Sequence, residues 1–296
     1  MRGKILVAGL FLAVSGAVVS AQSKPMLPSP GVVYCSGIVT NEAVPRSAYV
    51  ITGEGSNYRI VFSNGDDVFI NKGSDDGVKA GDEFQVVREV GDPYVVQWTA
   101  WEKQILHKMG NVWTDVARLQ VIVARPKVSI AKVEDGCDFV QRDDVVLPFT
   151  EREAPPIKIE NHFDRYAPPN GKPMAMIITG KNFIDAMGNQ DVAYVNLGAG
   201  QGVKVGDYFR IFRYQGTQHE TAYKPPRYAF DQDFNMGTKD VNIVGFGSVP
   251  KKWNWNNVPR EDVGEAVVLR TAPNSSTILI TFSLSEIYPG DYVELQ

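Results

Sequence analysis

The sequence predicts a mainly β protein made of two tandem small β-barrels, SH3-like or Greek-key, with a helix inserted in the first. Three observations lead there. The stretch GVKAGDEFQVVR at residues 77–88 returns as GVKVGDYFRIFR at 202–213, an offset of 202 − 77 = 125 residues. Short runs rich in Val, Ile, Phe and Tyr alternate with clusters of Gly, Asn and Asp, the pattern of many short strands. At 296 residues, the chain suits two units that each bury a core better than one.

The chain opens with a basic start at Arg2 and Lys4, then an apolar run too brief to span a bilayer comfortably, then small residues at Val19 and Ala21. These features predict a secretory signal peptide over residues 1–21, cleaved after Ala21. Its removal takes away two basic residues and no acid, so the formal charge moves from -4 to -4 - 2 = -6. That sign argues against a nucleic-acid partner, because Lys and Arg are interspersed, with no run longer than a pair such as Lys251-Lys252. No later segment is expected to span a membrane. Cys35 and Cys137 are the two cysteines, and in an oxidising compartment they are expected to form one disulfide.

The first barrel is expected over residues 31–150 and the second over 174–296, joined by a Pro-rich segment, 151–173, that reads as a semi-rigid linker or a strap across both units. The echo is wide: Asn71, Gly73, Val78, Phe84 and Arg88 match Asn196, Gly198, Val203, Phe209 and Arg213 at the same offset. Phe84 and Val86, like Phe209 and Ile211, alternate onto one strand face and should point inward, with Val78 and Val203 plugging the barrel ends. Gly-Asp pairs precede strands at Gly65-Asp66, Gly81-Asp82, Gly206-Asp207 and Gly290-Asp291. Each aspartate is expected to accept backbone N–H groups in a tight turn. Within the first unit, Trp98, Trp101, Ile105 and Met109 recur at helical spacing and Gly110 supplies a stop, which predicts a helix packed on the barrel.

Downstream of Arg213 the offset grows to 263 − 116 = 147, so the second unit carries 147 − 125 = 22 extra residues. This insertion, 214–262, is rich in Gly, Pro and Asn and carries Tyr214, Tyr223, Tyr228, Phe230, Trp253 and Trp255. Aromatic faces among amides and cations suit stacking on sugar rings or packing against a partner protein, and they equally suit a loop that caps its own barrel. These residues are the candidate contact surface.

Catalytic patterns are sparse. The three histidines, His107, His162 and His219, stand in no metal-ligand spacing, and no nucleophile elbow or phosphate loop is present. His219, Glu220 and Lys224 cluster in the insertion, and Glu160 and Asp164 stand four apart in the join; both sets read as solvated polar groups. No cofactor or metal is expected.

At INKGSDDGVKAGDEFQVVR and VNLGAGQGVKVGDYFRIFR the chain is similar to secreted proteins of Acidobacteria-type bacteria, some classed with LysM peptidoglycan-binding modules. More loosely, each copy resembles the C-terminal β-domain of the flagellar assembly protein FlgT. A LysM unit follows its VKxGD turn with a helix, whereas EFQVV and YFRIF read as strands. The resemblance therefore implies an exported all-β envelope module and transfers no catalytic residue. The expected function is a non-enzymatic cell-envelope protein, periplasmic or extracellular, whose partner is cell-wall glycan or an envelope protein. The alternative is a secreted carbohydrate-active hydrolase with carboxylates in the groove between the units.

Overall fold

The computed structural model describes residues 26–94, 102–158, 163–214 and 259–296, with the backbone alone at 242–243 and 247–248. A short helix, α1 (Pro30–Tyr34), leads into β1 (Ile38–Thr40), β2 (Val50–Gly53), β3 (Val61–Phe62), β4 (Asp67–Ile70) and β5 (Glu83–Val90). Then come α2 (Glu102–Met109), β6 (Asn111–Ala124), β7 (Ser129–Gly136), β8 (Val140–Gln141) and β9 (Val145–Pro148). The second half holds β10 (Met174–Gly180), β11 (Val192–Val195), β12 (Tyr208–Arg213), β13 (Asn242–Ile243) and β14 (Gly247–Ser248). It ends with β15 (Glu261–Ala272), β16 (Ser275–Ser283) and β17 (Tyr292–Leu295).

The protein is mainly β, and β10-β11-β16-β15-β12-β17 form a closed barrel, while β2-β4-β7-β6-β5-β9 run in one sheet with β1 added beside β6. The ends of that first sheet meet: Val50 N–H donates to Asp144 O and Val146 N–H to Ala48 O, both at 2.9 Å. Read along the chain, both halves place their strands in the same spatial order. Three antiparallel strands, β5-β6-β7 in one half and β12-β15-β16 in the other, lie side by side with the preceding strand, β4 or β11, beside the last of them, a Greek-key arrangement.

Alternation sets the two cores. Phe209 and Ile211 point inward with Val195, Val268 and Ile280, all fully buried. Val86, Leu119, Ile70 and Phe62 fill the first core, and Phe84 only packs at its margin, half-buried. Val78 and Val203 are buried at corresponding places in the two cores.

The turns show what the glycine-aspartate pairs do. At Gly81-Asp82 the glycine takes φ +92°, Asp82 N–H donates to Lys79 O at 3.2 Å, and Lys79 N–H donates to the Asp82 carboxylate at 2.8 Å. The same backbone-to-carboxylate bond forms at Asp66, Asp207 and Asp291, each at 2.8 Å. It forms again at Asp144 and Asp191, where no glycine announces it: Asp143 and Gln190 hold the left-handed position at φ 67° and 75°. Arginines fasten three of these turns: Arg59 holds Asp66, and the matched Arg88 and Arg213 hold one each. Arg88 holds Asp144 at 2.7 and 2.8 Å, and Arg213 holds Asp291 at 2.6 and 2.7 Å.

Helix α2 starts at Glu102 and stops at Gly110, whose N–H donates to Leu106 O at 3.1 Å. Its buried Met109 joins Val39, Val112, Ile178, Phe183 and Tyr194 in one apolar cluster. The helix thus sits between the two halves rather than on the first sheet alone. Trp98 and Trp101 lie outside the described residues.

Candidate functional site

The sequence placed one covalent tie at Cys35 and Cys137, and the two are disulfide-bonded with Cα atoms 5.4 Å apart. Ser29 caps α1 through Val32 N–H, Pro30 opens the helix, and Cys35 ends it. The bridge pins this turn to the end of β7 and so fixes the path of residues 36–40, which lie against both halves. Gly37 N–H donates to Asp115 Oδ2 at 2.8 Å. Tyr194 O–H donates to Ser36 O at 3.1 Å, Thr277 O–H to Gly37 O at 3.0 Å, and Ser275 O–H to Val39 O. Gly37 is at φ +67°, and a Cβ there would run into the Tyr194 hydroxyl and the Trp113 carbonyl.

Asp115 on β6 is the hub of this contact. Its carboxylate, 5% exposed, takes Arg152 at 2.8 and 3.0 Å and Arg270 at 3.3 and 3.4 Å besides the Gly37 amide. Burial pulls the Arg270 guanidinium down to about 10, against the opposing pull of Asp115, and burial also raises the Tyr194 hydroxyl above its ordinary value. Through the same two terminal nitrogens, Arg152 also donates to Val33 O, Tyr34 O and Gln85 Oε1.

Beside the disulfide lies a cavity of about 200 Å³. Its apolar wall includes Pro30, Tyr34, Val86, Ala117 and Phe149 with the bridge itself, and its polar rim includes Asn64, Gln85, Arg118 and Asp135. The Tyr34 and Phe149 rings stand 5.5 Å apart, and the Arg118 guanidinium lies 4.3 Å over Phe149 while holding both oxygens of Glu83 at 2.7 and 2.8 Å.

The Pro-rich join runs over the outer face of the second barrel. Tyr208 O–H donates to Pro156 O at 2.8 Å and accepts from Lys158 N–H at 2.5 Å, and Ile157 packs with Val32 on Val192, Val267 and Leu279. Further on, Asp262 N–H donates to Arg165 O at 2.8 Å and Asn170 N–H to Glu294 Oε1 at 2.9 Å. Under this cover lies a charged set, Arg210 on Asp262 and Arg260 on Glu294 at 2.5 Å, with Arg260 4.2 Å over the Phe212 ring. Burial lifts the Asp262 carboxyl above its ordinary value, opposed by Arg210.

Of the expected contact residues, Tyr214 is described. It is half-buried and packs edge-on against Phe212 and Tyr292, with ring centroids 5.4 Å apart in both cases, so at this residue the segment lies on its own barrel. Tyr223, Tyr228, Phe230, Trp253 and Trp255 lie outside the described residues, as do Glu160, His162, His219, Glu220 and Lys224. The far boundary of the insertion falls earlier than 262, because Glu261 and Asp262 already pair with Arg213 and Phe212 in the barrel. Asp164 accepts from Tyr166 N–H at 3.0 Å. Among the described residues no group of His, Cys, Asp and Glu is arranged to hold a metal ion, and no helix is long and apolar enough to cross a membrane. Sequence reasoning missed Asp115, Arg152 and Arg270: three isolated charges far apart in the chain carry no local pattern.

No family model matches the chain, and no curated protein matches it.

Proposed function

We propose that this protein is an exported, non-enzymatic module of the cell envelope, made by duplication of one small barrel, that binds cell-wall glycan or an envelope protein. The observation that carries the reading is the Cys35–Cys137 disulfide, since such bridges form and persist in oxidising compartments outside the cytosol. The matching strand orders and the Asp66, Asp82, Asp144 and Asp191, Asp207, Asp291 turns support the duplication. The main carboxylate between the halves, Asp115, is taken up by two arginines and a backbone amide, which suits a structural joint better than acid-base work. The contact surface is the aromatic segment with Tyr214, Tyr223, Tyr228, Phe230, Trp253 and Trp255.

The test is a pull-down of the protein lacking residues 1–21 with purified wall sacculi and, separately, with solubilised envelope. Retention by either, lost in a Trp253→Ala, Trp255→Ala double variant whose melting temperature is unchanged, is the expected result. Retention by neither would overturn the reading.

A further inference from the structure

We infer that the cavity beside the Cys35–Cys137 disulfide is a binding site for one uncharged apolar side chain, aromatic or branched aliphatic, presented on the backbone of a partner protein. This site is separate from the aromatic segment and does not depend on the envelope reading.

Size sets the first limit. Drug-sized ligands occupy pockets of roughly 300 to 1,000 Å³, whereas a buried cavity of about 150 Å³ accepts a single benzene ring. At about 200 Å³ this cavity holds one ring or one branched side chain and little more. Its walls fit that content: Pro30, Tyr34, Phe149 and the disulfide supply ring, apolar carbon and sulfur.

Charge sets the second limit. Every ionised group on the wall already has a counter-charge within the protein: Asp115 has Arg152 and Arg270, and Arg118 has Glu83 at 2.7 Å and Asp135 at 3.9 Å. A charged ligand would have to compete with a partner already in place and would carry a desolvation cost. A neutral one bears no such penalty.

The polar groups left over identify the backbone. Gln85 gives its oxygen to Arg152, leaving its amide N–H₂ without a protein partner among the described residues, and the Asn64 carboxamide has none there either. Carboxamides both donate and accept, as a peptide group does, so two of them in the lining, Asn64 exposed and Gln85 half-buried, suit a residue whose side chain enters while its backbone stays at the surface. Sugar hydroxyls would need a larger polar floor than this cavity offers.

Gly31 provides the test. It lines the cavity, and a Cβ built there meets only the Ser29 hydroxyl, at 4.0 Å, so a Gly31→Phe variant adds bulk at the cavity wall with no clash at its Cβ. The probes are N-acetylphenylalanine amide, N-acetylglucosamine and phenylacetate, each titrated at millimolar concentration into the protein lacking residues 1–21 and followed by amide ¹H–¹⁵N shifts. The expected result is saturable shifts confined to Gly31, Asn64, Gln85 and Gly136 with the phenylalanine amide, weakened by about tenfold or more in Gly31→Phe. A second reading needs no variant. Because the ligand covers the bridge, saturating phenylalanine amide should slow reduction of Cys35–Cys137 by dithiothreitol. Absent or scattered shifts, or binding equal in the plugged variant, would overturn the site. Tighter binding of N-acetylglucosamine would replace the peptide with a glycan, and tighter binding of phenylacetate would refute the requirement for neutrality.

Discussion

The Asp115 carboxylate and the Arg270 guanidinium, 155 residues apart in the chain, meet at 3.3 Å where the first sheet faces the second barrel. Arg152 from the join completes the group at 2.8 Å. Removing one member of a buried ion group leaves the others charged and uncompensated, which costs about 3 to 5 kcal/mol. Asp115→Asn should therefore lower unfolding free energy by about that amount in urea. Arg270→Met should cost less, because Arg152 still neutralises Asp115. Equal, small losses in both variants would show that the contact contributes little.

The disulfide closes a loop across a separation of 102 residues. For such a loop the chain-entropy model gives roughly 4 to 5 kcal/mol before strain is subtracted. Unfolding curves with and without reductant should differ by up to that amount, and the Cys35→Ser, Cys137→Ser protein should behave as the reduced one. Coincident curves would refute the expectation.

Phe209 and Phe84 occupy matching places in the repeated stretch, but their surroundings differ. Phe209 is fully buried in the second core, so Phe209→Ala should cost roughly 3 to 5 kcal/mol. Phe84 is half-buried at the margin of the first core, and Phe84→Ala should cost distinctly less. Chemical denaturation of the two variants decides the comparison.

Asp262 gives a pH dependence with a definite sign. Burial raises its carboxyl above the ordinary 3.8, so between that value and the raised one the folded chain keeps a proton that the unfolded chain has released. Stability from this group is present below the ordinary value and is lost as pH rises through the folded value. The free-energy difference between the natural protein and Asp262→Asn should thus shift in favour of the natural protein on acidification from neutral pH towards about pH 4. A difference flat across that range would contradict the assignment.

What the sequence made legible was local. The repeated GVKxGD stretch announced its turns because glycine and aspartate at fixed spacing have few other uses, and alternation placed Phe209 and Ile211 inside. Asp144 and Asp191 close the same turn without a glycine just before the aspartate, where Asp143 and Gln190 stand instead. The outer face of β12 was harder still. Tyr208 and Phe212 lie on the strand side opposite the core, yet both are buried, Tyr208 where the join folds over it and Phe212 beneath Arg260 and Tyr292. A strand's own alternation cannot report a cover supplied from 50 residues away. The cavity beside the bridge shares that property, since its walls come from α1, β5, β6 and the start of the join.

Residues 36–40 also impose an order of assembly. Their partners Ser275 and Thr277 lie 236 and 240 residues further along the chain, whereas Cys35 and Cys137 are 102 apart. During synthesis from the N-terminus, both cysteines of the bridge emerge long before β16. Contacts between such distant residues are slow to find, because each carries the loop entropy of everything between. A bridge closed at that stage would fix the turn leading to the Gly37 and Val39 carbonyls before Thr277 and Ser275 arrive to bond them.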